Sequence, residues 1–180
     1  PTAAPPPVVT LKLPRQVEVY SSGCFLASQT SEFQTIESNG GTISASIVDA
    51  GGARSALKLD FGVTNQDFNY AGWQVLLGEA NQGIDLSTRS MLTFAIRGQT
   101  GGERTNIWLM MPEYPENRFF KEITPGSDWQ SITIPLGHFT TGQKPKEIVN
   151  LAKIRRIQVL FEWYPEPTSG TIYIDDLCVQ

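Results

Sequence analysis

Short stretches that alternate apolar and polar residues, each closed by glycine or proline, constrain this chain more than any other feature. Residues 42–48 set Ile43, Ala45 and Ile47 against Ser44 and Ser46. Residues 55–61 set Leu57, Leu59 and Phe61 against Lys58 and Asp60. Residues 90–97 set Leu92, Phe94 and Ile96 against Thr93, Ala95 and Arg97. A strand points successive side chains to opposite faces, so each stretch reads as a strand with one face turned to a core. Residues 68–77 are apolar on both sides, and 105–111, 118–123, 130–136, 155–163 and 171–179 complete a train of nine. Gly51-Gly52, Gly101-Gly102, Pro125-Gly126-Ser127-Asp128 and Ser169-Gly170 supply turns between them. Valine, isoleucine and threonine, which suit a pleated surface, make up about a fifth of the chain. The expectation is an all-β fold, a two-sheet antiparallel β-jelly-roll sandwich. One helix of about two turns is expected over 145–152, from Ile148, Val149 and Leu151.

At 180 residues the chain is long enough for one domain with a full core. Its 18% charged residues and net charge of −4 exclude a nucleic-acid binder held by charge, and also a disordered chain. No apolar run approaches the roughly 18 residues of a membrane span. The opening Pro1-Thr2-Ala3-Ala4-Pro5-Pro6-Pro7 has the composition of an extended linker. Residues 1–9 are therefore expected to be a linker and 10–180 a single domain. The chain is expected to be a monomer joined covalently to other domains of a secreted or cell-surface protein.

Cys24 and Cys178 lie almost a chain length apart, and His138 is the single histidine. Neither cysteine has zinc-ligand spacing. The pair reads either as two small buried apolar groups or as a disulfide tying the start of the domain to its end. His138 follows a strand with no nucleophile elbow nearby and reads as a loop residue.

Several strands carry apolar or aromatic groups on the face that a sandwich leaves outside. If Ile107, Leu109 and Met111 point inward, Asn106, Trp108 and Met110 point out. If Phe119 and Ile123 point inward, Arg118, Phe120 and Glu122 point out. Ile157, Val159, Phe161 and Trp163 leave Arg156, Gln158, Leu160 and Glu162 opposite them. The outward set is then Arg97, Trp108, Met110, Arg118, Phe120, Glu122, Gln158 and Glu162, with Tyr70 or Trp73. Flat rings beside forked hydrogen-bonding groups suit a pyranose, whose apolar C–H face stacks while its hydroxyls take directional partners. Trp129 and Trp163 read as structural.

In their order, several segments resemble one family of jelly rolls. They are Gly52-Ala53-Arg54-Ser55-Ala56-Leu57-Lys58-Leu59, Tyr70-Ala71-Gly72-Trp73, Asp85-Leu86-Ser87 before the strand at 92–98, Trp129-Gln130-Ser131-Ile132-Thr133-Ile134-Pro135-Leu136 and Gly170-Thr171-Ile172-Tyr173-Ile174-Asp175-Asp176-Leu177. Over about 40–180 the chain resembles the galactose-binding-like superfamily, family 11 carbohydrate-binding modules and the domain of complex I intermediate-associated proteins among them. The resemblance implies non-catalytic binding of a β-glucan or similar polysaccharide in a concave cleft, and the outward-facing residues above supply the candidate ligand-binding set Tyr70, Trp73, Arg97, Trp108, Phe120, Glu122, Gln158 and Glu162. It also implies a structural calcium ion on Asp175 or Asp176. The entry strand departs from the family pattern, with Val17-Glu18-Val19-Tyr20-Ser21-Ser22-Gly23 in place of an acidic segment.

Two other functions fit the residues. Glu122 and Glu162 would serve a glycoside hydrolase or lyase if they flank a glycosidic bond. The same aromatic face would serve a protein-interaction or assembly domain by docking a partner chain.

Overall fold

The computed structural model describes residues 10–11, 33–38, 40–51, 54–64, 69–77, 83–112, 118–141, 147–162 and 168–180. Eleven strands are present among them: β1 (Thr10–Leu11), β2 (Phe33–Ser38), β3 (Thr42–Gly51), β4 (Arg54–Val63), β5 (Tyr70–Leu76), β6 (Met91–Gly98), β7 (Thr105–Met110), β8 (Arg118–Ile123), β9 (Gln130–Pro135), β10 (Arg156–Glu162) and β11 (Thr168–Val179). They form two antiparallel sheets. One is six-stranded, in the order β1-β2-β5-β10-β7-β8, and the other five-stranded, in the order β3-β4-β11-β6-β9.

Alternation decides which side of each strand meets the core. In β6 the burial pattern is regular, with Leu92, Phe94 and Ile96 inside and Thr93, Ala95 and Arg97 outside. Leu57, Leu59 and Phe61 of β4 face Ile157, Val159 and Phe161 of β10 across the sandwich within one core cluster. Phe61 and Phe161 stack between the sheets, with centroids 3.7 Å apart and planes inclined by 7°. Burying such side chains contributes about 1.5–3 kcal/mol each, which is what holds the two layers together.

The 99–103 turn is fixed by Gly101, at φ +85°, where an added Cβ would lie 3.0 Å from Ser127 N. Glu103 closes it: its Oε1 accepts Thr100 N–H at 2.8 Å and Thr100 Oγ1–H at 2.9 Å. Burial works against the charge on Glu103. The N–H groups of Thr100, Glu103 and Gly101 and the Thr100 hydroxyl outweigh it and hold the carboxyl below its ordinary value.

Two expectations are corrected. The helix over 145–152 does not form in its described part. Ile148 instead bridges Thr140, and Leu151–Lys153 make one 3₁₀ turn capped by Asn150, whose side chain accepts Ala152 N–H at 3.0 Å. Ile148 and Val149 point to opposite sides, solvent and core, as in extended backbone. Ser169-Gly170 lies inside β11 instead of forming a turn, because the strand pairs β4 from Thr168 onward. The strand β2 has no counterpart in the sequence reading. Cys178 is buried and disulfide-bonded. Cys24, the linker, Trp163 and the entry segment at 17–23 lie outside the described residues.

Candidate functional site

Registers across the six-stranded sheet set the rows of its outer face. In one row Gln74 of β5 lies beside Gln158 of β10, then Trp108 of β7, then Phe120 of β8. In the next, Ile36, Gly72, Leu160, Asn106 and Glu122 line up. Tyr70 and Glu162 pair at the end of β5 and β10. This face therefore gathers Tyr70, Trp108, Phe120, Glu122, Gln158 and Glu162 from four strands.

The polar groups are organised in pairs. Gln158 Nε2 donates to Gln74 Oε1 at 2.6 Å, and both amides are buried. Asn106 Nδ2 donates to Glu162 Oε2 at 2.7 Å. Arg104 forms a salt bridge with Glu122 at the rim. Asn106 Oδ1 and Arg156 Nε of this face are buried without a hydrogen-bond partner among the described residues. A buried acceptor or donor left unmet costs about 1–3 kcal/mol, which a ligand hydroxyl would recover.

The rings differ from expectation in exposure. Trp108 is only 7% exposed and forms, with Met110 and Leu160, an apolar cluster on this face. Ile36, Tyr70 and Phe120 pack against the cluster and stay partly open to solvent. Phe120 lies over Trp108, centroids 5.4 Å apart and planes inclined by 25°. Trp108 is thus a base plate, and Phe120 and Tyr70 are the reachable rings. Gly72 is required beneath them: a Cβ there would meet Leu160 Cδ1 and Val159 O at 2.7 Å.

Two residues of the expected set stand elsewhere. Trp73 faces inward, 4% exposed, within the main core, so Tyr70 is the aromatic that β5 turns outward. Strand β5 is apolar on both faces, which is why its alternation left the two open. Arg97 lies on β6 and so on the other sheet. There its guanidinium carbon sits 4.1 Å from the Tyr173 ring centroid and 5.5 Å from that of Trp129. Trp129 is 38% exposed. Ile36 was missed because β2 reads Phe-Gln-Thr-Ile-Glu-Ser, with no consistent apolar parity.

Glu122 and Glu162 share a face but sit two strands apart and two residues out of register, about 12 Å between backbones. Arg104 and Asn106 respectively hold their carboxylates. His138 is an exposed residue of the 3₁₀ turn Leu136–His138. Asp175 and Asp176 flank a bulge in β11, with Asp176 at φ 52° and its N–H donating to Asp175 Oδ1 at 2.8 Å. Among the described residues no third histidine, cysteine or carboxylate joins them.

A profile of the family described as carbohydrate binding domain 30 matches residues 17–180. No curated protein matches the chain. Among solved structures, the family 11 carbohydrate-binding module from Clostridium thermocellum in complex with a β-1,3-1,4-mixed-linked tetrasaccharide superposes with a TM-score of 0.66 at 18% identity, covering 82% of this chain and 87% of that one. A family 30 carbohydrate-binding module of a cellulosomal cellulase of Clostridium thermocellum superposes at 0.58 and 20% identity, covering 80% and 84%. These likenesses establish the jelly-roll sandwich.

Proposed function

Because the chain belongs to the family described as carbohydrate binding domain 30, we propose that the outer face of its six-stranded sheet holds a β-glucan chain, with sugar rings lying on Phe120 and Tyr70. The chain is a carbohydrate-binding module, and the step it performs is association without bond cleavage. The observation that carries the choice of face is the row Gln74, Gln158, Trp108, Phe120. It sets paired amides beside stacked rings on the side of the sheet away from the core. A sugar stacks its C–H face on the open side of Phe120, while Trp108 beneath fixes the ring's tilt. Asn106 Oδ1, Arg156 Nε and the rim groups Arg104, Glu122 and Glu162 supply directional partners for hydroxyls. The tetrasaccharide bound by the family 11 neighbour supports a mixed-linked β-glucan as ligand.

In this reading the module belongs to a secreted or cell-surface protein and is joined to a catalytic domain. Holding that domain near its polymer raises the local substrate concentration. Affinity electrophoresis tests the site. Mobility should fall in gels containing mixed-linked β-glucan, and Phe120→Ala or Tyr70→Ala should restore most of it, a loss of about tenfold in affinity for one stacking ring. Unretarded migration of the unaltered chain in β-glucan gels would sink the proposal.

A further inference from the structure

The five-stranded sheet carries a second arrangement of rings and donors that the cleft does not use. Registers place Lys58 of β4, Tyr173 of β11 and Arg97 of β6 side by side on its outer face. Because Gln130 pairs Ile96, Trp129 enters β9 directly across from Arg97. The four residues form one rank across four strands, spanning three strand intervals or about 14 Å. Arg97 is clamped between Tyr173 and Trp129, and its Nε is buried without a hydrogen-bond partner. Among the described residues no carboxylate or carbonyl accepts from its guanidinium. Lys58, by contrast, is neutralised by Asp60 at 2.8 Å, and Asp60 also accepts from the Thr171 hydroxyl. Trp129 keeps 38% of its surface in solvent. Beside the rank, Thr93 pairs Thr133 and Ala95 pairs Ser131, small groups that leave the face open.

Each feature has a chemical consequence. A guanidinium held by two rings has lost its rotamer freedom before any ligand arrives, so its donors are met at little entropic cost. Its fork matches a pair of adjacent hydroxyls. The exposed indole supplies the apolar plane for a pyranose C–H face. With Lys58 already neutralised and Asp175 on the same face of β11, the surroundings give no net pull on an anion. A neutral sugar fits these terms better than an acidic one.

We infer that the Trp129–Arg97–Tyr173 stack is a second glycan-binding site, on the sheet opposite the cleft, that takes neutral hexose residues of a polysaccharide. The inference rests on the reading that the chain binds a neutral glycan, but not on where the first site lies. Two sites on opposite faces would let one module bridge two polymer chains, or grip a polymer surface from either side.

The test is calorimetric and NMR titration of the full chain with the mixed-linked β-1,3-1,4 tetrasaccharide. Two equivalents should bind, and the indole N–H signal that vanishes in Trp129→Ala should shift on titration. Trp129→Ala should lose one equivalent while keeping its melting temperature within a few degrees, since the ring is exposed. Arg97→Lys, which keeps charge without the fork, should weaken that equivalent about tenfold. Phe120→Ala should remove the other equivalent and leave the Trp129 shift intact. One equivalent, lost in Phe120→Ala and unchanged in Trp129→Ala with an unmoved indole signal, would overturn this inference and leave the cleft standing. One equivalent lost in Trp129→Ala and kept in Phe120→Ala would sustain it and overturn the cleft. No binding by the unaltered chain would overturn both.

Discussion

Trp108 and Phe120 stack face to face, yet exposure assigns them different tasks. Phe120→Ala is expected to cost affinity for glucan with a modest loss of stability. Trp108→Ala is expected to cost about 3 kcal/mol of stability in denaturant titration, because it opens a cavity beneath Phe120, and to weaken binding as well. Equal stability losses in the two variants would contradict this division. Glu103 gives a second single-residue expectation. Its folded carboxyl lies below the ordinary 4.5, so its contribution is complete above that value and is lost as pH falls through the lower folded value. Thermal melts should show Glu103→Gln below the unaltered chain at pH 7, with the gap closing as pH drops towards 3. A gap that persists at low pH would show that the lost hydrogen bonds, and not the charge, account for the difference.

Strands β5, β7, β8 and β10 each contribute to the core and to the outer face of the six-stranded sheet at once. Gly72 allows Leu160 and Ile36 to close over β5, and nothing larger fits between Leu160 Cδ1 and Val159 O. Gly72→Ala should therefore cost about 1–3 kcal/mol by forcing these strands apart. It should also weaken glucan binding, because Tyr70 lies two residues away on the same face. Calorimetric melting and titration of the same sample check both parts. The strands themselves were legible as alternation: residues 118–123 were read to the residue, and β6 carries the predicted alternating burial. Strand β2 was not legible, because Phe33 and Ile36 fall on opposite parities. Nor was the segment around Ile148, whose spacing of apolar residues fits a helix as well as an extended bridge.

For the whole molecule, Cys178 at the end of β11 ties the chain through a disulfide. Cys178→Ser should lower unfolding free energy by about 2–4 kcal/mol through a freer unfolded chain. Guanidinium unfolding of the variant and of the unaltered chain measures the difference. Unchanged midpoints would remove the disulfide from the account of stability. The sequence by itself determined the all-β class, the inward residues of most strands, and the turning of Trp108, Phe120, Gln158 and Glu162 away from the core. These follow from side-chain alternation, which is local and repeats every two residues. The tertiary structure alone decided which sheet each outward face belongs to. Arg97 and Trp108 both read as outward residues, yet β6 and β7 lie in different sheets, so the first stands beside Trp129 and the second beneath Phe120. It also decided which outward ring reaches water, because strand partners such as β4 and β11 come from more than a hundred residues apart, and no local pattern records them.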